Sequence, residues 1–148
     1  MYFVDRSLLE NRLQYMEHLL YSFHEQKEWT EPVQKLALER LAHQWLEAMI
    51  DVGNQMIDGF IMRDPGGYSD IIDILEDEKV IAKETAQSLQ AVLLWRKTLV
   101  RDYLNVDHEA LGKTLRTHHE AMAVFPDAVR TYLEEELGPV SAFGPEER

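Results

Sequence analysis

The sequence predicts an all-α protein, an up-and-down bundle of four long helices with one short helix packed across an end. Three observations predict it. Apolar residues return at steps of four and three in four separate stretches, which lays each set along one side of a helix. No stretch shows the apolar–polar alternation of a half-buried strand. Between the stretches stand residues that start or stop helices, above all Asp64-Pro65-Gly66-Gly67 and Gly138-Pro139.

The first helix should begin near Asp5 or Ser7, where Ser7 and Glu10 have capping-box spacing, and run to about residue 28. Leu9, Leu13, Met16, Leu20 and Phe23 form its apolar side. Trp29-Thr30-Glu31 is the first loop, and Pro32 suits the first turn of the next helix, where no N–H donor is needed. That second helix, about 32–62, carries the longest stripe: Leu38, Leu41, Trp45, Ala48, Val52 and Met56. After the Pro-Gly-Gly break, Ser69 can cap a short helix over 70–77 with Ile72 and Leu75 inward. A helix over about 82–105 follows. Asp107 is placed to cap the last one, in which Leu111, Leu115, Met122, Phe125, Val129 and Tyr132 hold one phase and His118 falls between them as an expected core histidine. Because the phase continues past Pro126, a kink is expected there rather than a break. The chain reads as one domain, 1–148, with an irregular tail over 138–148.

The stretch 89–103 breaks its own pattern. Leu89, Leu93, Val100 and Tyr103 share one side, and the position completing their rhythm is Arg96. A guanidinium stays charged at any physiological pH, so its removal from water requires acceptors. Its stem could pack while the head reaches water or a structural acid, or the position could be functional.

The segment Arg96-Lys97-Thr98-Leu99-Val100-Arg101-Asp102-Tyr103 resembles the Arg-Asn-x-Leu-Val-His-x-Tyr signature of the HepT-like HEPN family, the toxin halves of prokaryotic toxin–antitoxin pairs. Asp51-Val52-Gly53-Asn54 and Pro65-Gly66-Gly67-Tyr68, followed by Ile72 and Leu75, repeat that family's order of landmarks, so the likeness spans about residues 5–137. It is greatest to the YutE-like branch of uncharacterised bacterial proteins. The resemblance implies a HEPN-like bundle and a homodimer whose two motifs face one cleft. It implies RNA cleavage without a metal, in which histidine moves the proton of the attacking hydroxyl and arginine steadies the phosphate. It further implies a minimal nucleotidyltransferase antitoxin that places AMP on the motif tyrosine, here Tyr103.

One departure weighs against activity. Where the family has histidine this chain has Arg101, and His108 lies far outside the spacing. A guanidinium cannot be deprotonated in a protein, so Arg101 can bind phosphate but cannot act as the base. The candidate site residues are therefore Arg96, Arg101 and Tyr103, with Lys97, Asp51 and Asn54 in support. Asp51 and Asn54 belong to a polar stripe on the second helix, together with Arg40, His43, Glu47 and Asp58, which could supply a counter-charge for Arg96 or simply face solvent.

Composition narrows the alternatives. There are no cysteines, which excludes disulfides, thiolate catalysis and cysteine-based zinc sites. His43 and Glu47 lie one helical turn apart, but the paired Glu-x-x-His signature of di-iron bundles is absent, and neither metal nor cofactor is expected. A net charge of −12 argues against broad non-specific nucleic-acid binding, so any RNA contact must be local. No leader pattern and no run of roughly 18 apolar residues is present, and a cytoplasmic location is expected. Two functions remain: a HEPN toxin with weakened or lost RNA cleavage, or a non-catalytic dimeric module that binds a nucleotide, an RNA or a protein partner.

Overall fold

The structure is a computed structural model that describes residues 3–138, and its described residues form helices and connections with no strand. Helix α1, Arg6–Glu25, starts at Asp5, whose Oδ1 accepts the N–H of Leu8 at 3.0 Å; Asp5 rather than Ser7 is the cap. It buries Leu9, Leu13, Met16, Leu20 and Phe23, the whole expected stripe. Helix α2, Pro32–Gly59, opens where Gln34 Oε1 accepts the Glu31 N–H at 3.0 Å. Every expected stripe residue of α2 is buried, and Trp45 meets Phe125 edge to face in the middle of the core.

Helix α2 ends without a glycine past its cap. Ile61 takes φ 55° while the Met62 N–H returns to the Ile57 carbonyl at 2.9 Å, the bond pattern of a Schellman stop. Helix α3, Tyr68–Asp77, stops in the same way, with Lys79 at φ 64° and Val80 N–H on the Leu75 carbonyl. Its N-cap is Gly67 and not Ser69, whose hydroxyl donates instead to Gln90. Gly53 lets α2 and α3 approach closely, since a Cβ there would come within 2.4 Å of Ile71 Cγ2.

The two remaining long helices are each divided. The stretch expected as one helix over 82–105 becomes α4, Lys83–Leu93, and α5, Trp95–Val100, separated at the exposed Leu94. Leu89 and Leu93 are buried as expected, but the stripe ends with α4, and Val100 and Tyr103 are exposed. The last helix becomes α6, His108–Thr117, and α7, His119–Leu137. Asp107 caps α6 as expected, accepting the Ala110 N–H at 3.0 Å. The break falls at His118, and α7 runs through Pro126 without interruption. His118 is therefore a half-buried junction residue, whereas Leu115 and Met122 on either side of it are fully in the core.

Helix α1 packs on α2 and α7, α4 on α3 and α7, and α2 also receives α3, α5 and α6. One clamp joins the two ends of the sequence: Arg130 of α7 holds Glu10 and Glu17 of α1 at 2.7–3.0 Å through its guanidinium nitrogens. Beyond Gly138 the expected tail lies outside the described residues. No helix of the described residues is long and apolar enough to cross a membrane.

Candidate functional site: an arginine held between two helices

The division at Leu94 determines where the motif points. Trp95 opens α5 and its indole N–H donates to Thr114 Oγ1 at 3.0 Å, while that hydroxyl donates to the Ala110 carbonyl, so α5 is tied to α6. With α5 fixed there, Arg96 faces α2, and its Nε donates to Glu47 Oε2 at 2.7 Å. The guanidinium carbon also lies 4.3 Å from the centroid of the Tyr68 ring. The Arg96 side chain is 24% exposed. Its charge is met by a carboxylate and an aromatic face, the two partners that best offset partial desolvation of a guanidinium. The Glu47 carboxylate raises the already high pKa of Arg96, so the site carries a permanent cation.

Tyr68 is held in place by its own loop. Arg63 grips Asp70 with two bonds of 2.9 and 3.1 Å, and Asp70 also accepts the Gly66 N–H at 2.8 Å. Gln90 of α4 donates to the Ser69 carbonyl at 2.9 Å and to Asp73. The Pro-Gly-Gly turn thus delivers the tyrosine from α3 to the motif arginine.

The counter-charge lies on the expected helix but one turn earlier than expected. Asp51 is exposed and Asn54 half-buried, and neither is hydrogen-bonded to Arg96; Glu47 is the partner. His43, one turn before Glu47, brings its Nε2 to 3.6 Å from the same Oε2, too long for a hydrogen bond. Further along α2, Glu39 Oε2 meets His108 Nε2 at 2.5 Å. One stripe of α2 therefore carries Glu39, His43 and Glu47 at four-residue steps, holding His108 at one end and Arg96 at the other.

The other motif residues stand apart from Arg96 within one chain. Arg101 is the exposed C-cap of α5, and among the described residues its side chain has no hydrogen-bond or ion-pair partner. Tyr103 is 61% exposed in the turns that follow, because the helix that would have kept it in phase with Arg96 has already ended. Lys97 is exposed and approaches Asp102 at 4.0 Å. Leu94 and Leu104, 78% and 84% exposed, flank this segment. Among the described residues no group of three or more His, Asp or Glu side chains is arranged to hold a metal.

An all-helical bundle carrying this motif segment is what the resemblance to HEPN-type proteins led one to expect. The chain belongs to the family described as ribonuclease HepT-like, which it matches over residues 9–129. It is 50% identical over 143 residues to a Bacillus subtilis (strain 168) protein named "Putative RNase YutE", covering 97% of this chain and 99% of that one. The solved structure of YutE from Bacillus subtilis, described as a cytosolic protein of unknown function, superposes with a TM-score of 0.93 over 97% of this chain and all of that one. A crystal structure of a toxin–antitoxin with AMP-PNP shares the fold, with a TM-score of 0.76 at 14% identity over 84% of this chain and 98% of that one.

Proposed function

We propose that this protein is the HEPN-type toxin of a toxin–antitoxin pair, built on the frame of a metal-independent RNA endonuclease, whose cleavage is weakened by arginine at position 101. The observation that carries this reading is Arg96, braced by Glu47 and Tyr68 at the motif position and still partly open to a ligand. In the reaction the 2′-hydroxyl of RNA attacks the adjacent phosphorus, the bond to the 5′-oxygen breaks, and negative charge grows on the phosphate oxygens. Arg96 stabilises that charge, and Glu47 keeps its fork oriented beforehand. The hydroxyl proton must go to a base, which Arg101 cannot be. Arg101 and Lys97 instead add positive charge for phosphate.

The active unit in this reading is a homodimer in which two motif segments face one cleft. The separation of Arg96 from Arg101 and Tyr103 within one chain supports it, because convergence on a single phosphate then comes from the second copy. Exposed Tyr103 is open to modification by a minimal nucleotidyltransferase antitoxin, for which its free hydroxyl is the acceptor of AMP. A second reading, a non-catalytic module that binds RNA or a nucleotide, is favoured by Arg101 itself, which suits phosphate binding and not proton transfer.

Cleavage of a labelled RNA with chelator present separates the two. Wild type should cut weakly or not at all, below an intact motif by the factor of about 10² to 10⁴ that acid–base catalysis supplies. Arg101→His should restore cutting, and adding Arg96→Ala should abolish it. If all three proteins are inactive, the binding module is the correct reading. Robust wild-type cutting that depends on Arg96 would show that another group moves the proton.

A further inference from the structure

The described residues also form a cleft away from Arg96. It measures about 640 Å³ and lies between the α1–α2 loop, the start of α2 and one side of α6, lined by Lys27, Trp29, Lys35, His108 and Arg116 among others. We propose that this cleft binds a nucleotide of a single RNA strand whose scissile phosphate lies at Arg96, an extension of the ribonuclease frame proposed above and dependent on it for the position of the cut.

Three properties of the cleft fit that ligand. The side chains of Lys27, Lys35 and Arg116 have no acidic or hydrogen-bonding partner among the described residues, whereas Arg63, Arg96 and Arg130 are all paired. Free cations gathered at one place in a chain of net charge −12 can attract a phosphate locally, although the protein as a whole repels one. Glu28, Asp107 and Glu109 also line the cleft, and Asp107 is already engaged in capping α6. Three cations against three carboxylates leave the cleft without net positive charge, so it suits one phosphate held by direct contact with Lys27, Lys35 or Arg116 and not a long polyanion.

Arg116 is placed by an absence. Gly112, one turn before it, leaves room for the guanidinium, and a Cβ there would come within 3.3 Å of Arg116 Nη1. Trp29 stacks on Phe23 with its ring 5.8 Å away and nearly parallel, so the indole that lines the cleft is rigid before any ligand arrives. A fixed aromatic beside free cations is the usual equipment for holding a base and its phosphate without reading sequence.

Position links the cleft to the motif. His108 at its edge is held by Glu39, and Arg96 by Glu47, eight residues further along α2. That is about 12 Å of helix rise. An extended strand covers this in a few nucleotides, so one RNA can occupy both places at once.

The test is binding of a labelled 2′-O-methyl RNA hexamer, which offers no hydroxyl for attack and so reports binding apart from cleavage. Lys35→Glu combined with Arg116→Glu changes two exposed, unpartnered side chains, and an unaltered melting curve would confirm its fold. We expect affinity to fall by about tenfold or more and the salt dependence to weaken by about 0.7 in log–log slope for each phosphate that is no longer neutralised. Trp29→Leu should weaken binding by about tenfold as the stacking surface disappears. Unchanged affinity in the charge-reversed protein overturns the proposal, as does displacement of the hexamer by inorganic phosphate at equal concentration. If Arg101→His cuts RNA with the same KM whether or not the cleft is charge-reversed, the cleft fails while the ribonuclease reading stands. If binding depends on the cleft and no variant cuts, the cleft stands and the ribonuclease reading fails.

Discussion

Arg96 and Glu47 stand 49 positions apart in the chain and meet at 2.7 Å, so the motif helix is fastened to α2 by its most distinctive residue. Removing one partner of such a pair costs more than removing the charge altogether, because the survivor is left partly desolvated. Glu47→Ala should therefore destabilise the fold by about 1–2 kcal/mol, a figure reduced for the partial exposure of both side chains. Arg96→Met should cost less, since the methionine stem still packs and the carboxylate it leaves behind, Glu47, is the more exposed of the two partners. Urea unfolding of the two variants checks the order, and an equal or larger loss for Arg96→Met would show that the pair is not stranded by the cut.

That pair also shows how far the sequence could be read. The stripe of α1 was legible to the residue, because burial follows the 3.6-residue period, whereas α2, enclosed by α1, α3, α5 and α6, also buries residues such as Leu46, Met49 and Ile57 outside its expected stripe. The helix that would supply the counter-charge was legible too, but the turn was not: Glu47 and Asp51 share a face, and the choice between them depends on where α5 crosses α2. The division at Leu94 left no trace in the pattern, since Leu99, Val100 and Tyr103 continue it. What fixes α5 is a bond from Trp95 to Thr114, which no local window contains. The same holds at His118, where the apolar phase runs on through a real break. Tyr68 stood in a recognisable segment, yet its place beneath Arg96 depends on Asp70 gripping Arg63 across the loop.

Two side chains with a Cβ occupy left-handed backbone at helix ends. Ile61 at φ 55° is the more strained, because a β-branched residue fits that region worst. It is also largely exposed, so its replacement forfeits little packing. Ile61→Gly should raise stability by about 1 kcal/mol, and thermal unfolding should show a midpoint higher by about 2–4 °C. A lower midpoint would mean that the packing of the Ile61 side chain outweighs its strain.

Gly53 should tolerate no side chain in the wild-type background. A Cβ at 2.4 Å from Ile71 Cγ2 forces α2 and α3 apart or Ile71 off its rotamer, and Gly53→Ala should cost about 1–3 kcal/mol. Removing the obstructing methyl should recover part of that loss. In a double-mutant cycle Gly53→Ala with Ile71→Ala is expected to be less damaging than the sum of the two changes. Simple additivity would place the cost elsewhere.

Acid should loosen the packing of α1 on α7 in two stages. His119 stacks edge-on against His24 at 3.9 Å, and burial first, with His24 second, pushes its pKa below the usual value, against a smaller opposing effect from Glu120. A histidine depressed in the folded state takes up its proton more readily when unfolded, so stability is intact above about pH 6.5 and declines as pH falls from there towards the folded value. Glu10 is depressed chiefly by its hydrogen bond to Arg130, so its contribution is present above about pH 4.3 and is lost below, as pH falls through the folded value. Unfolding free energies measured across pH should flatten in the upper window for His119→Gln and in the lower one for Glu10→Gln. A slope unchanged by either substitution would assign the acid sensitivity to other groups.

The last expectation concerns assembly. Leu94 and Leu104 are the most exposed large apolar side chains of the described residues to flank the motif, with Val100 and Tyr103 between them in sequence. Burying a leucine stabilises by about 1.5–3 kcal/mol, so leaving two of them in water beside the Arg96 motif is a cost that a second copy would remove. The proposed homodimer should therefore have a mass near twice the 17.3 kDa chain by light scattering at micromolar concentration. Leu94→Glu with Leu104→Glu places two carboxylates around the motif, repels those of a second copy, and should give a monomer of unchanged helix content. The same substitution in the Arg101→His background should abolish RNA cutting, since Arg96 of one copy would no longer meet the restored histidine of the other. Retention of cutting by a proven monomer would mean that one chain completes the site alone, with the segment after α5 folding back on Arg96. A wild-type mass near that of the single chain would remove the dimer from the proposal.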